Sequence, residues 1–271
     1  MIIGKKDFAI GRRTYLVGIV NVTPDSFFDG GQFDCTEAAV SHAMKLIDDG
    51  ADIIEIGGES TRPGHEKVDD KTEMERVLPV IESLIDKTDT PIAVDTSKSN
   101  VADAALSIGA AMINDISCFT LDKELAVICA KHNAACCVMH NRANTVYRNL
   151  LMDVMMDLQR GIYNVEKAGV PANKIIIDPG IGFAKAVYDN LVILRNLSYF
   201  AAYEYPLMIG TSRKSFMGKI LGLEVNDRLE TTLATTALAI NSQVDFIRVH
   251  DVLENKRAAM MADELVRGRH K

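Results

Sequence analysis

Apolar, β-branched runs that end in a polar or small residue recur along the chain, first at Tyr15–Asn21 and then at residues 52–57, 91–95, 111–115, 134–140, 174–178, 206–210 and 244–250. Runs of this length and make-up, bounded by polar residues, predict strands. The stretches between them carry helical spacing instead, as in Met74, Val77, Leu78, Ile81, Leu84 and Ile85, or Leu151, Val154, Met155, Leu158, Ile162 and Val165. Strands that are apolar throughout, rather than alternating, are covered on both faces, which in this order means a parallel sheet under helices. Eight strand–helix units predict an α/β fold, a (β/α)8 TIM barrel forming a single domain over residues 1–271, with a doubly wound open sheet as the alternative. The segment before Tyr15, with Gly4 and Gly11, predicts a short N-terminal hairpin closing the barrel bottom. An acidic residue followed three positions on by glutamate predicts helix starts at Asp34 with Glu37, Asp70 with Glu73, Asp227 with Glu230 and Asp251 with Glu254.

Composition narrows the function classes. At 271 residues, 48% hydrophobic and 25% charged with no Trp, the chain is an ordinary globular one, neither fibrous nor disordered. A net charge of −7 argues against a broad nucleic-acid surface, so any phosphate site is local. Five cysteines without a C-x-x-C pair fit buried small hydrophobes better than disulfides or zinc. Lys5, Lys6 and Asp7 interrupt any apolar leader, and no run approaches the ~18 apolar residues of a membrane span. The expectation is a cytoplasmic protein without nucleic-acid or membrane partners.

In a parallel barrel the chemistry stands at the C-terminal ends of the strands. Those ends are polar here: Asn21, Glu55 with Glu59, Asp95, Asn114 with Asp115, His140 and Asp178, then the segment 212–215 (SRKS) and the segment 248–251 (RVHD). Each residue singly can be a cap for the next helix. Together they separate by charge, with Arg213, Lys214, Arg248 and His250 grouped after the last two runs, where barrels often hold phosphate, and Asp95, Asn114 and Asp178 offering acceptors and an amide to a planar heterocycle with adjacent N–H donors. Two Gly-containing loops, 23–31 and 57–64, complete the rim as lid candidates, and Phe27 and Phe28 in the first need something to cover. No phosphate-binding G-x-x-x-x-G-K-[ST], nucleophile elbow or H-E-x-x-H occurs. A metal pair of His140 with His250 is the one two-histidine option.

The segments 18–31 (GIVNVTPDSFFDGG), 57–64 (GGESTRPG), 94–98 (VDTSK), 113–115 (IND), 178–183 (DPGIGF), 212–215 and 248–251, in this order along nearly the whole chain, closely resemble the dihydropteroate synthase family of bacterial folate biosynthesis, within the pterin-binding barrels. The resemblance implies attack of the 4-aminobenzoate amine on the methylene of 6-hydroxymethyl-7,8-dihydropterin diphosphate, with pyrophosphate leaving dissociatively and Mg²⁺ on the diphosphate. It implies pterin contacts from Asp95, Asn114, Asp178 and Lys214, diphosphate contacts from Asn21, Thr61, Arg248 and His250, and Asn21 on the metal. It further implies closing loops with Asp29, Phe27, Arg62 and Pro63, an aminobenzoate pocket lined also by Phe183, Lys214 and Ser215, and catalytic roles for Asp29, Arg62, Asp178 and Lys214. A homodimer through late barrel helices, with Leu233, Ala237 and Ile240 at the interface, and competition by sulfonamides in the aminobenzoate pocket belong to the same implication. The chain departs from the family at Glu55, where aspartate is usual. Its extra methylene moves a carboxylate by about 1.5 Å, which points to a role behind the ligand-binding groups. Two other functions share part of the pattern: a pterin-dependent methyltransferase acting on a corrinoid protein, which leaves the late cations unused, and a non-catalytic pterin-binding module.

Overall fold

The computed structural model describes residues 1–23, 32–60 and 67–268. Its strands are β1 (Ile2–Ile3), β2 (Lys6–Asp7), β3 (Tyr15–Asn21), β4 (Ile53–Gly57), β5 (Ile92–Asp95), β6 (Met112–Asp115), β7 (Ala135–Met139), β8 (Ile175–Asp178), β9 (Met208–Ile209) and β10 (Phe246–Val249). Its helices are α1 (Gln32–Asp48), α2 (Asp70–Ile85), α3 (Ser99–Ser107), α4 (Lys123–Lys131), α5 (Leu150–Lys167), α6 (Val187–Arg195), α7 (Leu197–Ala201), α8 (Ser215–Leu221), α9 (Leu229–Asn241) and α10 (Val252–Val266). All eight expected strands form, each within its expected run. They pair in parallel in the order β8-β7-β6-β5-β4-β3-β10-β9, and a bridge from Ile177 to Leu207 brings the two edges together. The sheet is therefore a TIM barrel. An open doubly wound sheet would show a reversal of strand order, and none occurs.

Why the strands lack alternation follows from their two burial environments. Outward residues such as Leu16, Ile54, Val94 and Ile113 join the layer shared with the helices, while Tyr15, Val17, Ile53, Ala93, Met112, Ala135, Cys137, Ile176, Met208 and Phe246 form a second cluster inside the barrel. β1 and β2 pair antiparallel as the expected hairpin, and Ile3 and Phe8 enter that inner cluster. The Phe8 ring meets Tyr15 edge-on at 4.9 Å and lies 5.8 Å from Phe246, so the hairpin plugs the N-terminal end. Burying each such side chain contributes roughly 1.5–3 kcal/mol.

The expected helix starts need correction. α2 is capped by Asp69, which accepts from the Thr72 N–H at 2.7 Å, while Asp70 accepts from Asn100. Glu73 turns inward to Lys98 instead of closing a capping box. Asp227 lies in a short 3-10 turn before α9, which starts at Leu229. Asp251 stands at the cap of α10, but its carboxylate is taken by Arg213. α1 begins at Gln32, so Asp34 falls within its first turn. For Glu73 and Asp251 a cationic partner takes the carboxylate, while α1 starts before Asp34 and α9 after Asp227.

Candidate functional site

Side chains repeat every second residue along a strand, so the positions two beyond the inner apolar cluster also point into the barrel. Those positions are Glu55 above Ile53, Asp95 above Ala93, Asn114 above Met112, Asp178 above Ile176 and Arg248 above Phe246. All five are buried. Arg248 donates from Nη2 to Asp95 Oδ2 at 3.0 Å, and its Nε lies 2.5 Å from Glu55 Oε1. Glu55, the departure from the family pattern, thus stands behind the rim as an ion partner of Arg248.

The electrostatics of this layer are unbalanced. Glu55, Asp95 and Asp178 face two cations, Arg248 and Lys214. Burial pushes all three carboxyls above their ordinary range, against the attraction of Arg248, and Glu55 rises to about 7. Burial and the neighbouring Arg248 bring Lys214 down to about 8, with Asp178 and Asp95 resisting. Asn114 is 1% exposed, and among the described residues neither its Oδ1 nor its Nδ2 has a hydrogen-bond partner. A buried amide with both ends unpaired costs about 1–3 kcal/mol per group and marks a place where a ligand supplies the partners.

The loop after β8 shapes one wall. Asp178 accepts from the Gly180 N–H at 2.7 Å. Gly180 has φ +68°, and a Cβ there would stand 1.9 Å from the His140 carbonyl oxygen, so only glycine fits. The Phe183 ring lies under Lys214 Nζ at 4.3 Å, a cation–π contact. Lys185, overlooked in the sequence, sits beneath this loop with its ammonium on Gly180 O, Phe183 O and His140 Nδ1, each at 2.9 Å. Burial lowers it to about 7, with Asp178 and Asp189 resisting. The signal available was its place two residues after the segment 178–183.

Past β9, at the end of β10, His250 receives its orientation from Ser212, whose Oγ lies 2.9 Å from Nδ1 and accepts the His250 backbone N–H at 3.2 Å. The residue is exposed at the rim, yet protein atoms crowding its ring, together with the charges of Arg248 and Lys214, disfavour the imidazolium. Asn21 ends β3 in an exposed position beside Gly57, and Ser215 opens α8 exposed. Arg213 is not free to hold an anion as expected: it forks onto Asp251 with two 2.8 Å bonds and donates to the Val225 and Asn226 carbonyls. His140 is fully buried between Lys185 and Asp157, which excludes it from pairing with His250 on a metal. Of the expected site residues, the structure thus brings Asp95, Asn114, Asp178, Lys214, Phe183 and Arg248 together at the C-terminal end of the barrel, with His250, Asn21 and Ser215 at the ends of β10 and β3 and the start of α8. Phe27, Asp29, Thr61, Arg62 and Pro63 lie outside the described residues.

A barrel with a buried carboxylate–amide floor and cations at the mouth is a ligand-binding enzyme scaffold, and comparison narrows the class. Residues 17–250 match the model of the family described as pterin binding enzyme, and the chain belongs to that family. A dihydropteroate synthase from Clostridium beijerinckii is 50% identical over 268 residues, covering 98% of this chain and 100% of that protein. The crystal structure of a dihydropteroate synthase from Clostridium difficile with pteroic acid superposes with a TM-score of 0.94 at 46% identity, covering 96% of this chain and 100% of the other. One from Xanthomonas albilineans with 4-aminobenzoic acid gives a TM-score of 0.90 at 37% identity, with 94% of each chain covered.

Proposed function

We propose that the chain is a transferase with dihydropteroate synthase activity: it condenses 6-hydroxymethyl-7,8-dihydropterin diphosphate with 4-aminobenzoate to 7,8-dihydropteroate and pyrophosphate, in folate biosynthesis. The observation that carries this is the unpaired Asn114 amide between Asp95 and Asp178, both buried. A pterin ring offers N–H donors to the carboxylates and both a donor and an acceptor to the amide. Leaving any of these unpaired rejects ligands that lack the matching group.

Asp95, Asn114, Asp178 and Lys214 hold the ring in this reading. The C–O bond to diphosphate breaks with its electron pair going to the leaving oxygen, and the ring spreads the positive charge left on the methylene. Asp178 stabilises that cation, with Asp29 assisting, while Arg248, His250 and Thr61 receive the growing charge on pyrophosphate. Groups fixed in place before the reaction act at little reorganisation cost. The aniline nitrogen then bonds to the methylene and releases its proton to water. Phe27, Arg62, Pro63, Phe183, Lys214 and Ser215 surround that acceptor, with Arg62 taking a catalytic part. Hydrogen bonding to diphosphate suits His250 better than base catalysis, because an aniline amine is hardly protonated at neutral pH and needs no strong base.

Mg²⁺ fits this mouth as an ion carried on the substrate. Among the described residues no group of three or more His, Cys, Asp or Glu is placed to hold a metal. A hard cation sharing diphosphate oxygens and water needs only a neutral oxygen such as Asn21 Oδ1. When bound, it neutralises charge on the leaving pyrophosphate. No helix among the described residues is long and apolar enough to cross a membrane, which suits a cytoplasmic biosynthetic role. A homodimer through α9 and α10 also belongs to this reading. Its support is Leu238, 67% exposed, with Met261 and Leu265 also exposed, and Leu233 and Ala237 on the α9 surface. Ile240 is fully buried in the core and is withdrawn from the interface. Light scattering at micromolar concentration reads the mass directly.

The decisive assay is pyrophosphate release from the dihydropterin diphosphate with Mg²⁺, with and without 4-aminobenzoate. Release that depends on aminobenzoate establishes the synthase. Pterin binding without release would instead support a sequestering module.

A further inference from the structure

Lys185 is a buried, multiply bonded group of the barrel mouth that the mechanism leaves unused. Its ammonium has three N–H donors and three acceptors at 2.9 Å: the Gly180 and Phe183 carbonyls and His140 Nδ1. A lysine in this position is therefore fully satisfied without a carboxylate in contact. Because Nδ1 accepts, His140 carries its proton on Nε2, which faces Asp157 Oδ2 at 3.3 Å. Asp157 is in turn held by Arg142 Nε at 2.5 Å. Arg142 stacks 4.8 Å from the centre of the Tyr147 ring, and the Tyr147 hydroxyl donates to the Ala184 carbonyl at 2.7 Å. The two successive carbonyls of Phe183 and Ala184 are thus tied down from one polar cluster, one by Lys185 and the other by Tyr147.

The loop needs those ties. Gly180, Gly182 and Ala184 all have positive φ, at +68°, +85° and +46°, and Ala184 does so against its Cβ. The turn closes through the Phe183 N–H to Gly180 O at 3.1 Å, and Lys185 bonds the carbonyls at both of its ends. Its two sides serve different ligand groups. Asp178 is placed by β8 and takes one bond from the Gly180 N–H at the near end of the turn, whereas the Phe183 ring, stacked against Lys214, stands at the far end and depends on the whole turn and on the two tethers.

We propose that Lys185 is a positioning residue for the acceptor subsite: by fixing the Gly180–Phe183 turn on His140 it sets the ring of Phe183 against which 4-aminobenzoate packs, with Tyr147 as the second tether. This rests on the synthase reading given above. Steady-state pyrophosphate release by the full chain, with each substrate varied in turn, tests it in Lys185→Met and Tyr147→Phe. Lys185→Met is expected to raise the KM for 4-aminobenzoate about tenfold or more, the scale of one lost charge-assisted hydrogen bond, while the KM for the pterin diphosphate stays within about twofold. Tyr147→Phe removes one neutral bond from the adjacent carbonyl and is expected to raise the aminobenzoate KM about threefold, with the same selectivity. Parallel increases in both KM values, or a fall in kcat with the aminobenzoate KM unchanged, would overturn the proposal and leave Lys185 a purely structural group. Should Lys185→Met fail to fold, an unchanged aminobenzoate KM in Tyr147→Phe overturns it equally. Wild-type protein with no aminobenzoate-dependent release refutes the synthase reading itself, whereas wild-type turnover with unaltered variants refutes this proposal alone.

Discussion

Glu55→Gln probes the charge balance of the buried layer most directly. Burial raises all three carboxyls of the barrel interior, Glu55, Asp95 and Asp178, and because they interact, their titration belongs to the group as a whole. Glu55 has the clearest share, raised from 4.5 to about 7 by burial and by Asp95, against Arg248. Its folded value lies above its unfolded value, so the protonated form is the one that folding favours. The corresponding stability is fully present below pH 4.5 and is lost as pH rises through about 7. Converting that shift at 1.36 kcal/mol per unit gives about 3 kcal/mol.

Glutamine keeps the shape of the protonated acid and has no proton to lose. The variant and the wild type should therefore differ by less than about 1 kcal/mol at pH 5.0, and the variant should be more stable by about 3 kcal/mol at pH 8.5. For a chain of this size, that corresponds to a melting-temperature gain of roughly 6 °C or more at the higher pH. Thermal melts followed by far-ultraviolet circular dichroism at the two pH values measure the difference. A variant less stable than wild type at pH 8.5 would refute the argument. It would mean that ionised Glu55 is a net stabilising counter-ion for Arg248 and that the layer holds no proton. Asp95 retains its 3.0 Å bond to Arg248 in either case, so the expected change does not depend on releasing the guanidinium.

Three further outcomes follow from the same geometry. Gly180→Ala places a Cβ 1.9 Å from the His140 carbonyl at a positive φ, and a loss of about 3 kcal/mol or more in thermal or urea unfolding is expected; a neutral result would contradict the close approach. Arg213→Met breaks the fork onto Asp251 and should lower stability by about 1–3 kcal/mol while leaving the KM for the pterin diphosphate within about twofold, whereas a large KM increase would restore Arg213 to the anion site. Lys214→Ala should raise the KM of both substrates at least about tenfold. In the wild type, Lys214 has its folded value lowered to about 8, so its charge is lost as pH rises through 8, and pterin affinity measured by calorimetry should fall there and not in the variant.

Where one physical rule acted alone, the fold was legible in the residues. Burial on both faces produces unbroken apolar runs, and every strand formed within its expected run for that reason, including the two-residue β9 within residues 206–210. The helix starts failed where a side chain had two possible employers. Asp251 has the spacing of a cap, yet a bidentate arginine outbids two backbone N–H groups, and Arg213 comes from a different strand end 38 residues away. The same competition removed Arg213 from the expected anion site. At the barrel mouth, the position of Glu55, Asp95, Asn114, Asp178 and Arg248 at or near the ends of apolar runs was legible in the sequence, but unbroken apolar runs do not tell which phase faces inward, and the inner cluster of the folded barrel decides that. Which of them pair is set by the strand order that puts β4 between β3 and β5 and puts β10 next to β3, a long-range fact no local pattern carries. Lys185 shows the limit most clearly. As a lone lysine after an alanine it has the look of a solvated surface charge, and only the left-handed turn of residues 180–184 folds the two carbonyls and the His140 imidazole around its ammonium. Groups that hold a loop in place are harder to find than groups that touch a ligand, because their chemistry is complete only after the backbone has turned back on itself.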